Sequence, residues 1–170
     1  MDHLVFDTSA ILNFGQRDHL EEVLPKLGKL YKIITTHEVV QELSDPAQRE
    51  FNARLLAAHF PRHHPAALHF DVATVSRLAV TLGAGEISVI ALATELKAVA
   101  VLDDRAARVE AEKLGLRITG TLGLIHEALK HGWLTDDQCL ERVRTLHANR
   151  FRIRKPNANE SFADYFAAMQ

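Results

Sequence analysis

The chain holds a single cysteine, Cys139, among 170 residues. That excludes an internal disulfide framework and a zinc cluster built on thiolates, and a reducing cytoplasm is the simplest compartment for such a protein. No apolar run approaches the roughly 20 residues that a bilayer-spanning helix requires. The opening residues Met1-Asp2-His3 carry no basic segment and lead directly into a strand pattern, so a signal peptide is not expected. Internal repeats and low-complexity tracts are missing as well. So are several catalytic signatures. Gly115…Gly120…Gly123 matches neither a dinucleotide fingerprint nor a phosphate loop. His63-His64 has no third spaced ligand and no His-Glu-x-x-His pattern, and reads as a solvated loop. Asp7-Thr8-Ser9 lacks the second aspartate of an Asp-x-Asp phosphatase strand end, and none of the ten histidines sits in a Ser/His/Asp arrangement.

What remains is an ordinary globular composition, 47% hydrophobic and 25% charged, long enough for one domain with a sizeable core. The net charge of −2 conceals an asymmetry, since Arg142 to Lys155 contains six Lys or Arg residues and no acid. Such a run either tracks phosphates or is a solvated helix end and linker.

Residues 3–6 are apolar and partly β-branched, the pattern of a buried parallel strand. Asp7-Thr8-Ser9 offers caps for a following helix. A second helix is expected from Asp18 to Leu27 with Gly28 as its stop, then a strand over 30–34 and a short helix capped by Thr35-Thr36. Further helices are expected over 46–59 and about 72–82, separated by the Pro61–Pro65 breaker and a short edge strand near Leu68–Phe70. Glu86 to Lys97 is apolar on nearly every side, as a helix buried against a sheet would be. Ala98–Leu102 reads as a central strand, Asp104–Leu114 as a helix ended by Gly115, and Leu116–Ile118 as a last strand. Helices over 121–131 and 135–147 follow, the latter opened by a capping box at Thr135 and Gln138. Alternating strands and helices argue for a mostly parallel α/β sheet layered by helices. Beyond Ala148 the pattern weakens, and Arg150–Arg154 alternates with period two, so residues 149–170 are expected as an arm or extra strand outside the core.

Carboxylates are the clearest chemistry in the chain, because they fall where strands end or helices begin: Asp7, Glu42, Glu86 and the Asp103-Asp104 pair. In an open α/β sheet those points converge on one crevice. Acids gathered there repel one another unless a cation lies among them, and hard oxygen ligands select Mg²⁺ or Mn²⁺. Asp7 can also be read as a helix cap, although Thr8 and Ser9 would serve equally. Glu38 and Glu42 share a helix face, and Glu42 is preferred because the C-terminal end of a helix disfavours an anion unless a cation offsets it. Glu86 lies in the first turn of its helix, where an acid is favourable, yet the rest of that helix is almost wholly apolar. Either Asp103 or Asp104 can cap the next helix, leaving the other for a site.

Taken in order, Val5-Phe6-Asp7-Thr8-Ser9-Ala10, Thr36-His37-Glu38-Val39-Val40-Gln41-Glu42-Leu43, Gly85-Glu86-Ile87-Ser88-Val89-Ile90-Ala91-Leu92-Ala93 and Val101-Leu102-Asp103-Asp104-Arg105 resemble the PIN-domain nucleases. Within them, the likeness is to proteins related to the toxins of VapBC toxin–antitoxin pairs. Gly115–Gly123 with Gly132-Trp133-Leu134 is similar to a subgroup of prokaryotic proteins predicted to bind nucleic acid. The resemblance covers residues 3 to about 134. It implies a three-layer α/β/α sandwich over 1–148, with 149–170 as an extension. It further implies metal ligation by Asp7, Glu42, Glu86 and Asp103, with Asp104 adjacent, and Ser9, Arg105 and Arg108 as nucleic-acid contacts. Glu86 stands where many relatives have Asp, and His37 where proline is usual. The implied activity is Mg²⁺- or Mn²⁺-dependent hydrolysis of single-stranded or structured RNA in the cytoplasm, with no membrane association. The implied partners are a cognate antitoxin and a second copy of the chain in a dimer. A non-catalytic binding scaffold on the same fold is the competing reading.

Overall fold

The computed structural model describes residues 1–17, 20–44, 49–60, 63–64, 70–149 and 151–169. Five strands form one all-parallel sheet in the order β3-β2-β1-β4-β5. β1 (His3–Phe6) lies at its centre, with Val5 paired to Ile34 of β2 (Lys32–Thr36) and to Ala100 of β4 (Val99–Val101). A strand covered on both faces needs side chains that are apolar on both, and Leu4, Val5 and Phe6 are all buried. β5 (Arg117–Thr119) pairs with β4, and β3 (His63–His64) adds two residues beside Thr35 and Thr36. His63-His64, expected as solvated loop, is therefore edge-strand backbone. The expected edge strand at 68–70 and the Pro61, Arg62 and Pro65 breakers fall outside the described residues, save Phe70, which lies in a bend.

Local signals place most helices. Asp7 caps α1 (Thr8–Leu12), which widens into a π-helical turn at Asn13–Arg17. Thr36 caps α3 (His37–Glu42), accepting from Val39 N–H at 3.3 Å. Asp71 caps α5 (Val72–Leu78), Asp104 caps α7 (Arg105–Lys113), and the Thr135/Gln138 box opens α9 (Asp136–Ala148). α6 (Ala84–Leu96) is buried around nearly its whole circumference, packs against β1, β2 and β4, and touches α3 and α7. α8 (Thr121–Lys130) and α9 pack on each other, α9 also meeting the π-turn. These elements make a three-layer α/β/α sandwich. Among the described residues no helix is long and apolar enough to cross a membrane.

Two elements depart from expectation. Gly28 does not stop the second helix: a 3-10 turn (Leu20–Val23) leads into α2 (Leu24–Leu30), because Leu24 and Leu27, on one face of α2, are held in the core. The expected cap, Asp18, lies outside the described residues, as does the Pro46 start of α4 (Arg49–His59). Second, the tail is not peripheral. Residues 151–160 form no strand, but α10 (Phe162–Ala167) buries Phe162 and Tyr165 completely. The Phe162 N–H is shared between both carboxylate oxygens of Asp136, at 2.9 and 3.0 Å. The Tyr165 hydroxyl donates to the Arg154 carbonyl at 2.8 Å, and Phe166 stacks on His126 at 4.3 Å. The period-two alternation at 150–154 was a misleading signal, since Arg154 is spent in an ion pair with Glu160 rather than on a sheet face.

Candidate metal centre

The chain leaves β1 toward β2 and β3, then returns to the other side of β1 to form β4 and β5. That reversal opens a crevice beyond the carboxyl ends of β1 and β4, where ligands bind in open α/β sheets. Asp7 follows β1, and its N–H still reaches the Val101 carbonyl of β4 at 3.1 Å. Its carboxylate Oδ2 accepts from the Ser9 N–H at 3.3 Å and from the Ser9 hydroxyl at 2.7 Å. Oδ1 is buried and has no hydrogen-bond partner among the described residues. Asp7 is only 3% exposed, and burial pushes its carboxyl pKa up, the Ser9 hydroxyl opposing and the charge of Glu42 adding to the rise. Ser9, expected as a nucleic-acid contact, thus serves Asp7 within the fold.

Glu42 ends α3, where the helix dipole disfavours an anion. The structure answers with two donors. The Thr8 hydroxyl donates to Oε2 at 2.5 Å, and the Gly85 N–H at the start of α6 donates to Oε1 at 2.8 Å. One helix N-terminus thereby offsets the cost of the other's C-terminus. A Cβ on Gly85 would stand 2.5 Å from Oε2, so this approach requires glycine. Glu38, one turn back on α3, has a buried Oε2 without a partner.

Glu86 lies in the first turn of α6 and its Oε2 accepts from the Gly83 N–H at 2.9 Å. This is the favourable helix-start role that its position allows. It is also the point where the acids meet. Burial pushes its carboxyl pKa up, and the charges of Asp7, Asp104 and Glu42 all act in the same direction. Oxygens of Glu42 and Glu86 each lie 3.8 Å from where a Gly83 Cβ would stand.

Asp103 and Asp104 diverge. Asp104 caps α7 through Oδ1, accepting from Ala106 N–H at 2.7 Å and Ala107 N–H at 3.1 Å, and its Oδ2 has no partner among the described residues. Asp103 is enclosed by donors. Its Oδ1 accepts from the Thr121 N–H at 2.7 Å, and its Oδ2 from the Asn13 amide at 2.9 Å and the Thr121 hydroxyl at 2.5 Å. Burial pushes Asp103 up as well, with the Thr121 and Asn13 bonds and the Arg108 charge opposing. Arg108 itself donates to the Leu102 carbonyl at 3.3 Å, a structural tie. Arg105, the first residue of α7, is exposed and has no polar partner among the described residues.

Thr8, Asn13, Thr121, Gly83 and Gly85 were not singled out from the sequence as part of this site. Thr8 and Gly85 flank acids that were, which is a usable signal; Asn13 and Thr121 carry none. In the basic run, Arg142 pairs with Glu22 at 3.1 Å and Arg154 with Glu160. Arg144, Arg152 and Lys155 stay exposed without ion pairs among the described residues, and Arg150 lies outside them.

Among the described residues no three His, Cys, Asp or Glu side chains are close enough to share one ion in this arrangement. The carboxylates stand in each other's field, engaged with hydroxyl and N–H donors, rather than in one coordination shell. The donor set nonetheless fits a hard divalent cation. Every candidate ligand atom is a carboxylate oxygen, and the buried Oδ1 of Asp7 is left unsatisfied among like charges.

The chain is thus a parallel α/β/α domain with carboxylates at the switch point of its sheet. The chain belongs to the PIN-domain family: a family model described as a PIN domain matches residues 3–164. No curated protein matches it. PIN domains are generally nucleases that bind nucleic acid and typically use divalent metal ions. The match extends past Ala148 into the first half of α10, well beyond the stretch in which the sequence motifs lie.

Proposed function

We propose that this protein is a divalent-metal-dependent endoribonuclease acting on single-stranded or looped RNA. The observation that carries the reading is the buried Oδ1 of Asp7, without a partner among the described residues, beside a Glu86 that stands in the joint field of Asp7, Asp104 and Glu42. An unpaired buried carboxylate costs stability that a structure retains only where something else compensates. Asp7, Glu86 and Asp104, with Glu42, would hold Mg²⁺ or Mn²⁺. Such an ion, when bound, supplies Lewis acidity at the scissile phosphate and lowers the pKa of a water.

The chain's own residues prepare the crevice. Ser9 fixes the Asp7 carboxylate, while Thr8 and the Gly85 N–H fix Glu42. Glu86 and Asp104 are oriented by the helix starts that they cap, each keeping one oxygen unpaired among the described residues. Arg105, exposed beside Asp104, would meet a phosphate of the strand. The preference for a flexible strand over a stiff duplex is supported by the motif resemblance. The further role of toxin, with an antitoxin seating an Arg among the carboxylates, is supported by the motif resemblance. Co-expression with a neighbouring small open reading frame tests that role by relief of growth arrest.

The deciding experiment compares wild type, Asp7→Asn and Glu86→Gln on a mixed RNA panel with Mn²⁺, Mg²⁺ or EDTA. Cleavage by wild type that requires the metal, and is lost in both variants, is expected. Equal cleavage by all three, or cleavage that survives EDTA, refutes the reading. RNA bound but never cut favours a non-catalytic scaffold.

A further inference from the structure

Asp103 has no oxygen to spare. Oδ1 takes the Thr121 N–H, and Oδ2 takes both the Asn13 amide and the Thr121 hydroxyl. These partners come from the two flanks of the crevice. Asn13 opens the π-helical turn directly behind the helix that Asp7 caps, and Thr121 opens α8. Turns of that kind occur often at functional sites. Asn13 also donates to the Thr121 hydroxyl at 3.2 Å, so the three side chains form a closed triangle. Gly120 makes the contact possible, because a Cβ there would stand 2.7 Å from Asp103 Oδ1 and 2.9 Å from the Leu102 carbonyl. Its φ of −147° is ordinary extended backbone, so space is the reason for glycine. The next residue, Asp104, keeps Oδ2 without a partner among the described residues.

We propose that Asp103 is a positioning residue: clamped by Asn13 and Thr121, it fixes the end of β4 so that Asp104, and not Asp103, offers its free oxygen to the ion. The proposal rests on the metal-nuclease reading above. It assigns different work to two adjacent acids that look alike in sequence. It also ties the Asp7 flank of the crevice to the Asp104 flank through one carboxylate, so loosening the triangle should loosen the ion. A merely structural triangle would change thermal stability and leave metal affinity alone.

The test uses the full chain, with Mn²⁺ affinity measured by isothermal titration calorimetry and a thermal unfolding curve for every variant. Thr121→Val removes the hydroxyl at nearly constant shape, Thr121→Ser restores it, and Asn13→Ala removes the second clamp. Thr121→Val and Asn13→Ala are expected to weaken Mn²⁺ binding about tenfold while still folded, with Thr121→Ser within about twofold of wild type. Asp104→Asn is expected to lose measurable binding. The proposal is overturned if the Thr121→Val and Asn13→Ala proteins bind Mn²⁺ as wild type does, whatever their melting temperatures. It is equally overturned if Asp103→Asn abolishes binding while Asp104→Asn does not. Should Asp103→Asn fail to fold, the Thr121 and Asn13 variants decide. Wild type that takes up no Mn²⁺ refutes the metal reading itself and this proposal with it, whereas normal wild-type binding with indifferent variants refutes only the proposal.

Discussion

The Glu42 carboxylate rests on the backbone of Gly85, its Oε1 accepting the Gly85 N–H at 2.8 Å across 43 residues of sequence. A Cβ at position 85 would enter within 2.7 Å of three carboxylate atoms. Gly85→Ala should therefore displace Glu42 without unfolding the chain, because the atoms in the way are the far end of a flexible side chain and alanine suits a helix better than glycine. Nuclease turnover is expected to fall about tenfold or more, since an orienting contact is lost. The melting temperature should stay within about 4 °C of wild type, the equivalent of roughly 1 kcal/mol. Paired activity and calorimetric measurements check both halves.

Burial of Asp7 should make the metal-free protein lose stability as pH rises from the acid range. Asp7 has a folded-state pKa raised above 3.8, so the folded form holds its proton more tightly than the unfolded chain. Stability from that difference is present at pH values below the unfolded pKa and is lost as pH rises through the folded value. In EDTA at pH 7–8, Asp7→Asn should consequently be more stable than wild type by about 1–3 kcal/mol, the cost of an unsatisfied buried acceptor. The gap should narrow toward pH 4, and Mn²⁺ should stabilise wild type but not the variant. Melting curves across pH with and without metal measure this. A gap that stays constant with pH would count against the assignment.

Arg105 and Arg108 should separate cleanly. Arg105 is exposed and unpartnered among the described residues, so Arg105→Ala should weaken RNA binding and reduce the salt slope by roughly 0.7–1 with no change in melting temperature. Arg108 donates to the Leu102 carbonyl and lies beside Asp103. Arg108→Ala should instead cost about 1–2 kcal/mol of stability. Binding titrations at several salt concentrations, together with thermal melts, distinguish the two.

The tail should behave as core. Phe162 is fully buried, so Phe162→Ala is expected to cost about 3–5 kcal/mol and lower the melting temperature by on the order of 10 °C. A truncation after Asn149 should be less stable still, because it also removes Tyr165 and uncovers His126. Near-native melting of the truncated chain would show that α10 is only an appendage.

Much of this was written locally. Apolar runs marked β1 and β4, an all-round apolar segment marked α6, and Thr36 and Thr135 announced the helices that they cap, while the Asp103-Asp104 pair marked a helix start without saying which of the two caps it. Such signals work because each depends on residues within a turn or a strand of one another. Gly28 misled for the complementary reason. A local breaker yields when neighbours such as Leu24 and Leu27 are held by distant core contacts. The tail misled in the same way, its weak periodicity hiding two side chains that reach the core.

The sequence by itself determined a parallel α/β sheet with carboxylates at its strand ends, because strand burial, helix capping and chain order are all readable along the chain. Only the tertiary structure decided which way those carboxylates turn. Asp103 and Asp104 are adjacent and identical in kind, yet one faces Asn13, 90 residues away, and Thr121, 18 residues away, while the other leaves an oxygen unpaired among the described residues, in the field of Glu86. The direction of a side chain at a strand end follows the donors that distant segments bring to it, and those donors exist only once the chain has folded.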